Sequence, residues 1–197
     1  KENEWHALKQ LISKDTINIF TKYSQEENRF TNGLVALLEL SRHVGSSFVR
    51  SFLRELLELE PNGGIRDFRV LRAIDGTADA ELCGVDCCIR FETKIVSGAL
   101  REVQVRDHLE HLERSPEIHK TLVLLTPDDT DSNYIKQFLA SNYIKQFCAK
   151  GKKRNNVIHL EWRKVYRCLE RHVGKRDTPL FSHLIEQFLK QIHDCLF

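Results

Sequence analysis

Residues 79–94, which read DAELCGVDCCIRFETK, constrain the fold and the chemistry of this chain more than any other segment. They contain the only acidic-x-Lys triplet in the sequence, Glu92-Thr93-Lys94, which follows Asp79 by thirteen residues. Side chains alternate between the two faces of a strand, so Glu92 and Lys94 project to one side. With Asp79 on a neighbouring strand, two carboxylates and one ammonium converge. That set favours binding of a hard divalent cation and attack on a phosphodiester.

The composition predicts one ordinary globular domain. The chain has 197 residues, a formal net charge of +2 and no apolar run that approaches the roughly 20 residues of a membrane span. The polar start, Lys1 to Glu4, has no apolar secretory core, and the six cysteines lack CxxC spacing. We therefore expect a cytoplasmic protein with reduced thiols. A zinc site at Cys83, Cys87 and Cys88 is the sharper alternative for these cysteines.

Apolar periodicity divides the chain into opening helices, a strand-rich centre and closing helices. Helices are predicted over Trp5 to Tyr23, Ser24 to Leu38, Phe48 to Leu59, Leu100 to Arg114, Ser132 to Lys150, Glu161 to Val173 and Pro179 to Leu196. Strands are predicted over Arg69 to Ile74, Ala80 to Val85, Cys87 to Ile95, Lys120 to Thr126 and Val157 to Leu160. The continuous apolar run at 120–126 is typical of a strand buried on both faces.

This order of elements predicts an α/β fold with a mixed sheet. We expect a single domain over 1–197, with N-terminal helices over 1–60, a core over 65–160 and C-terminal helices over 161–197.

The heptapeptide SNYIKQF occurs twice, at Ser132 to Phe138 and at Ser141 to Phe147. The offset of nine residues is close to two and a half helical turns, so the copies would face nearly opposite sides of one helix. We interpret the duplication as an insertion that lengthens this helix.

Several segments together resemble a known family. Ala78-Asp79-Ala80 precedes Phe91-Glu92-Thr93-Lys94-Ile95, and Gln104 opens a helical pattern in which His108 follows it by four residues. An early helix carries Glu27-Asn28-Arg29-Phe30, and Trp162 leads a late helix. Over about Glu26 to Arg167, this combination resembles the PD-(D/E)xK nuclease superfamily, which has a restriction-endonuclease-like fold.

The resemblance implies a restriction-endonuclease-like αβββαβ core, with a mixed sheet flanked by helices and extra helices at both ends. It implies that Asp79 and Glu92 bind Mg²⁺ or Mn²⁺ and that Lys94 is the catalytic lysine. Glu27 is then an accessory metal carboxylate, and Gln104 assists catalysis near the scissile phosphate. DNA is the implied substrate. Similar proteins often belong to bacterial antiviral defence or mobile-element systems, and some are fused to regulatory domains.

Other readings of these residues stay open. Asp75, beside a turn glycine, and Asp86, in the predicted hairpin turn, compete with Asp79 as the second acid, and we prefer Asp79. Glu27 is also explained as an acid at a helix N-terminus, and Gln104 as a solvated helix residue. Burial of Lys94 beside the sheet would lower its pKa and permit a role as a base.

Histidines and a basic run add two further predictions. His108 and His111 share a helix face, and we expect surface or half-buried histidines there rather than a metal pair. The densest basic run ends in Lys152, Lys153 and Arg154. Such runs are usually solvated loops, but beside a nuclease site these side chains would contact a phosphate backbone.

Two rival functions are compatible with the sequence. One is a nucleic-acid-binding module on the same fold without catalysis; the intact Asp, Glu and Lys set argues against it, because burying unused acids is costly. The other is a protein-interaction domain, with a homodimer or larger assembly formed through Phe188, Leu189, Ile192 and Leu196. Packing of that apolar face on the domain's own core is the use we expect.

Overall fold

The computed structural model describes residues 26–44, 46–60, 65–70, 79–151, 154–174 and 179–197. The helix predicted over Trp5 to Tyr23, the alternative acid Asp75, and Lys152 and Lys153 of the basic run lie outside the described residues.

The described elements follow the predicted order. The helices are α1 (Glu26–His43), α2 (Phe48–Ser51), which continues as a π-helical segment (Phe52–Leu56), α3 (Glu102–Arg114), α4 (Asn133–Leu139), α5 (Asn142–Lys150), α6 (Trp162–Glu170) and α7 (Pro179–Leu196). The strands are β1 (Ile65–Val70), β2 (Ala80–Gly84), β3 (Cys87–Thr93), β4 (His119–Thr126) and β5 (Asn155–Glu161).

The five described strands form one mixed sheet in the order β1-β2-β3-β4-β5. Strand β2 is antiparallel to its neighbours β1 and β3, whereas β4 runs parallel to both β3 and β5. The predicted α/β class, with a mixed sheet flanked by helices, is thereby confirmed. The parallel pairings have a consequence for the site, because they bring the carboxyl ends of β3, β4 and β5 to one edge of the sheet.

A helical layer covers each face of the sheet. Val123 and Leu125 of β4 pack in a core formed with α1, α2, α6 and α7. Leu122 and Leu124, on the opposite face, pack with α3, α4 and α5. The side chains of residues 122–125 are all fully buried. The prediction of a strand that is buried on both faces is therefore confirmed.

The apolar face of α7 is used within the domain. Phe188, Leu189 and Ile192 are buried in the core between the sheet and α1, and Leu196 packs against it. Hydrophobic burial of this face stabilises the fold by roughly 2 kcal/mol for each large side chain. These residues are thus core residues, as we expected.

Two element boundaries differ from the sequence prediction. The strand predicted to begin at Arg69 begins earlier, at Ile65, and pairs with β2 through an irregular register; residues 71–74 of that prediction lie outside the described residues. The helix predicted over Phe48 to Leu59 ends sooner, because a π-helical segment interrupts it and Glu58 adopts a positive φ of 53°. A non-glycine residue in that left-handed conformation terminates regular helix.

The prediction of one helix over Ser132 to Lys150 is wrong. The segment forms α4 and α5, which are separated at Ala140 and Ser141. The first serine of the repeat is the N-cap of α4, and its hydroxyl accepts a hydrogen bond from the Ile135 backbone N–H at 3.2 Å. Because each copy of the repeat starts its own helix, Ile135 and Ile144 both point into the same core.

We expect Ile135→Ala and Ile144→Ala each to lower the free energy of unfolding by about 2–4 kcal/mol, because each substitution leaves a cavity in the same core. Urea unfolding measures both variants, with Val103→Ala on the exposed surface of α3 as a nearly neutral control. Destabilisation by only one of the two isoleucine substitutions would contradict the two-helix arrangement.

Candidate functional site

The β2–β3 hairpin places two carboxylates at the carboxyl end of β3. Asp79 directly precedes β2, and its backbone N–H donates to the Phe91 carbonyl at 3.0 Å. The Thr93 backbone N–H donates to Asp79 Oδ2 at 2.6 Å. Because Ala80 pairs with Phe91 in the antiparallel register, Asp79 lies across from Glu92. The convergence predicted for these two acids is present.

Lys94 joins this pair from the first position after β3. Its Nζ lies 2.5 Å from Glu92 Oε1 and 2.9 Å from Glu27 Oε1, and it also donates to the Thr93 carbonyl at 3.1 Å. The lysine side chain is only 7 % exposed. One ammonium group therefore bridges two carboxylates that are 65 residues apart in sequence.

The backbone of Lys94 is fixed by two other elements. Its N–H donates to the Leu125 carbonyl of β4 at 2.8 Å, which extends the parallel ladder past the end of β3. Its carbonyl accepts from Trp162 Nε1, at the start of α6, at 3.1 Å. Trp162 is fully buried and stacks edge-on with Phe30 of α1. The late tryptophan that the sequence singled out therefore acts as an anchor for the lysine.

Glu27 reaches the site from the first turn of α1. Its side chain is 31 % exposed, so it forms the solvent side of the cluster. The N-terminus of a helix carries a partial positive charge that favours an acid there. The two sequence interpretations of Glu27, a helix-terminal acid and a member of the acid cluster, are thus compatible with each other.

Helix α3 closes the other side of the site through His108. Its Nε2 lies 2.6 Å from Glu92 Oε2, and both side chains are 2 % exposed. The expectation of a surface or half-buried histidine is wrong for His108. His111 is half-buried, and its Nδ1 contacts the Asp107 carbonyl at 2.9 Å, away from the cluster.

A sequence signal for His108 was present. The apolar positions of α3 are Val105, Leu109 and Leu112, and all three are buried. Position 108 completes the helical spacing i, i+3, i+4, i+7 of this buried stripe, whereas position 111 does not. A histidine within a buried stripe needs a polar partner, and Glu92 supplies it.

Gln104 lies one turn before His108 on α3. Residues four apart on a helix are neighbours on one face, so Gln104 lies on the side of α3 that carries His108. Among the described residues, its Oε1 and the Nδ1 of His108 are buried atoms without a hydrogen-bond partner. The unsatisfied Nδ1 of His108, whose ring contacts Glu92, and the unsatisfied Oε1 of Gln104 one turn away each indicate a place for a further polar group.

Burial and charge shift the pKa values of the cluster in different directions. Burial, followed by the negative charge of Glu92, raises the pKa of Asp79 to about 7. Burial alone would raise the pKa of Glu92, but the hydrogen bond from His108 and the charge of Lys94 outweigh burial and lower the pKa. Burial alone would lower the pKa of Lys94, but the charges and hydrogen bonds of Glu92 and Glu27 outweigh burial and raise the pKa.

The raised pKa of Lys94 corrects one expectation. Burial alone would have lowered the pKa and permitted a role as a base, but the carboxylates around the ammonium reverse the sign. Lys94 is therefore a cation at neutral pH. Its chemistry is that of a charge that stabilises an anion or orients a water molecule.

The donor set fits a hard divalent cation. Three carboxylates surround one ammonium, so full ionisation leaves an excess of two negative charges at the end of β3. Carboxylate oxygens are the ligands that Mg²⁺ and Mn²⁺ prefer. Asp79 and Glu92 would hold the cation, with Glu27 at the open side.

The alternative acid Asp86 and Arg154 of the basic run lie away from the acid cluster. Asp86 lies in the turn between β2 and β3, at the opposite end of the hairpin from Glu92, which removes it as the second acid. Arg154 is exposed just before β5, and its carbonyl accepts from the Lys120 N–H near the start of β4. The parallel register therefore places Arg154 at the opposite end of the sheet from Glu92. The structure does not bring Arg154 near the site.

The three adjacent cysteines do not share one site. Cys87 packs in the core that contains α1 and α7, whereas Cys88 packs in the core that contains α3. Cys83, which pairs with Cys88 in the β2–β3 register, packs against the α3 side as well. The alternative of one zinc site formed by Cys83, Cys87 and Cys88 is therefore wrong, because alternation along β3 separates Cys87 from the other two.

Comparisons with protein-family models, with curated proteins and with solved structures find no match to this chain. The part of the chain that the structure describes has no helix that is both long and apolar enough to cross a membrane.

We expect Asp79→Asn to stabilise the protein in EDTA, and to do so more at pH 8 than at pH 5. A carboxyl whose pKa is raised from 3.8 to about 7 contributes stability that is fully present below pH 3.8 and is lost progressively as pH rises from 3.8 through 7. The gain should be larger at pH 8 than at pH 5 by on the order of 2 kcal/mol, or about 4–8 °C in Tm.

Thermal unfolding between pH 5 and pH 8 measures this difference. Asp107→Asn, on the exposed side of α3, is the matched control and should show no such pH dependence. An equal effect of Asp79→Asn at both pH values would contradict repulsion among the buried carboxylates.

Proposed function

We propose that the protein is a metal-dependent nuclease that hydrolyses DNA phosphodiester bonds. The observation that carries the proposal is the buried cluster of Asp79, Glu92 and Lys94, with Glu27 beside it, at the carboxyl edge of the parallel strands. Phosphodiester hydrolysis requires neutralisation of negative charge, an oriented water and an in-line approach. The cluster brings together the groups for charge neutralisation and for orienting a water molecule.

The order of elements supports a restriction-endonuclease-like fold for this site. A helix precedes three antiparallel strands, then a helix and a parallel strand follow, as α1, β1, β2, β3, α3 and β4 do here. The resemblance of Phe91 to Ile95 to the central PD-(D/E)xK motif assigns Glu92 and Lys94 to the same positions of that fold. The proposed role in antiviral defence or in a mobile element rests on this resemblance alone.

Bound at Asp79 and Glu92, Mg²⁺ or Mn²⁺ would supply charge neutralisation at the phosphate and lower the pKa of a water. The chain's own groups prepare that arrangement. The Thr93 N–H holds one oxygen of Asp79, and His108 holds Glu92 Oε2. The protein thus fixes two acids whose mutual repulsion would otherwise drive them apart.

Lys94 acts as a cation in this mechanism. Its ammonium lies between Glu92 and Glu27, within reach of a phosphate that approaches from the open side of the cluster. There it stabilises the negative charge that develops in the transition state and orients the attacking water. Gln104, whose buried Oε1 has no partner among the described residues, accepts a hydrogen bond from that water or from the substrate.

Lys94→Ala should reduce DNA cleavage at least about 100-fold, because it removes a charge that acts in the transition state. Wild type and variant are incubated with supercoiled, linear and single-stranded DNA and with RNA, in Mg²⁺, Mn²⁺ or EDTA. Lys145→Ala, an exposed lysine of α5, is the matched control, and circular dichroism checks that each variant folds.

Full activity of the Lys94→Ala variant would rule out this assignment. A wild type that cuts no substrate, and whose binding of Mn²⁺ by calorimetry does not depend on Asp79, would favour the alternative of a catalytically silent nucleic-acid-binding or protein-interaction module. Cleavage of RNA but not DNA would correct the substrate class alone.

His108→Ala should lower kcat and weaken Mn²⁺ binding by about 10–100-fold each, because Glu92 loses the group that orients it. His111→Ala, three residues further on the same helix, should change neither quantity. His108→Gln, which keeps a hydrogen-bond donor, should restore part of both. A His108→Ala enzyme with unchanged Mn²⁺ affinity would show that the histidine does not position Glu92.

A further inference from the structure

A second group of polar side chains lies on the α3 face of the β2–β3 hairpin, between its turn and the acid cluster. Glu81 and Cys83 share that face of β2, and Cys83 lies directly opposite Cys88 of β3. The sulfur atoms and one carboxylate oxygen of these three residues all lie within 4.8 Å of one another. Cys88 and Glu81 are buried, whereas Cys83 is half-buried, so the group is reachable from solvent at Cys83.

The two oxygens of Glu81 have separate partners. Arg90 Nε donates to Oε2 at 2.7 Å, which fixes the carboxylate from the neighbouring strand. The Cys83 thiol donates to Oε1 at 3.3 Å. This is the arrangement of a metal ligand with a supporting partner: one oxygen faces the two sulfur atoms, and the other is held by a hydrogen bond.

The distances suit a tetrahedral site. With metal–sulfur bonds of about 2.3 Å and metal–oxygen bonds of about 2.0–2.2 Å, neighbouring ligand atoms of a zinc site lie about 3.4–3.8 Å apart. The observed contact of 3.3 Å between Cys83 Sγ and Glu81 Oε1 is close to that separation. All three ligand atoms lie within 4.8 Å of one another, about 1 Å beyond the ligand separation of a tetrahedral zinc site.

Charge balance also favours a dication. Two thiolates and one carboxylate carry three negative charges, which a divalent cation and the adjacent Arg90 guanidinium neutralise. Binding of the cation would displace the thiol protons of the two cysteines.

We propose that Glu81, Cys83 and Cys88 form a binding site for a thiophilic divalent cation, with Zn²⁺ as the natural occupant. Thiolate ligands select Zn²⁺ over Mg²⁺, so this site is chemically distinct from the carboxylate cluster, although Glu81 lies only two residues from Asp79. The fourth position is open to water or to Glu117, whose partner Ser115 hydrogen-bonds the Cys88 thiol.

The site would act as a clamp on the hairpin. Its two cysteines join β2 to β3 near their turn, and the same two strands carry Asp79 and Glu92 at their opposite end. A bound cation would therefore hold the register that sets those two acids across from each other. This proposal does not depend on the proposed nuclease activity, because its ligands and its readout are separate.

Cobalt spectroscopy tests the proposal. The full chain is reduced, freed of metal and titrated with Co²⁺, which reports thiolate ligation through an intense near-ultraviolet sulfur-to-cobalt band. We expect this band to saturate at one Co²⁺ per chain and to disappear when Zn²⁺ is added. Cys83→Ser and Cys88→Ser should each weaken binding at least about 100-fold, beyond the 10–100-fold cost of losing an outer partner.

Cys87→Ser is the matched control. It removes a buried thiol from the same strand, one residue from Cys88, but on the opposite face of the sheet. This variant should keep the cobalt band. Loss of the band in Cys87→Ser with folding intact, its persistence in Cys83→Ser and Cys88→Ser, or its absence from reduced wild type would each overturn the proposal.

A measurement on wild type alone guards against variants that fail to fold. Zn²⁺ should slow alkylation of Cys83 by iodoacetamide at least about tenfold, because a metal-bound thiolate is shielded. Cys148, which is also half-buried but lies on α5, serves as the internal control and should react at an unchanged rate. Equal alkylation of Cys83 with and without Zn²⁺ would overturn the proposal independently of any substitution.

Discussion

The buried Lys94 ammonium is the interaction on which the arrangement of the site depends. It holds Glu92 of β3 and Glu27 of α1 at 2.5 and 2.9 Å, although carboxylates in a weakly polar setting repel each other. Removing charges from water is costly, and a buried ion pair seldom adds net stability over an apolar pair of similar size. A cluster of three acids and one lysine is therefore better explained by chemistry than by folding.

The fold holds that cluster through backbone contacts rather than through side chains alone. The Lys94 N–H donates to strand β4 and its carbonyl accepts from Trp162 of α6, so the lysine backbone is attached to both a neighbouring strand and a helix. The antiparallel hairpin sets Asp79 across from Glu92. Parallel pairing of β3 with β4 then leaves the cluster beyond the strand ends, with Glu27 on its solvent side.

The sequence predicted those parts of the site that depend on local periodicity. Alternation along β3 placed Glu92 and Lys94 on one side, and the apolar run of β4 identified the strand that supports them. Prediction failed where the outcome depended on a partner distant in sequence. From the sequence we expect a surface or half-buried His108, although its place in the buried stripe of α3 is visible in the spacing.

The other differences between expectation and structure have three separate causes: charge, chain topology and a local break in a helix. Burial by itself lowers the pKa of a lysine, and only the three-dimensional positions of Glu92 and Glu27 reverse that sign for Lys94. The position of Arg154 also depends on topology, because the parallel connection carries it to the far end of β5. The repeat in α4 and α5 differed for a local reason, since the extended backbone at Ser141 ends the first helix and starts the second.

The most direct test of the central claim is a crystal structure of the protein soaked in Mn²⁺, with the anomalous signal used to locate the cation. The account predicts a peak about 2.1 Å from carboxylate oxygens of both Asp79 and Glu92, the distance that small hard dications require. Binding there should move Lys94 Nζ away from Glu92 Oε1. Mn²⁺ bound elsewhere, with the Lys94–Glu92 pair unchanged and no peak between the two acids, would contradict it.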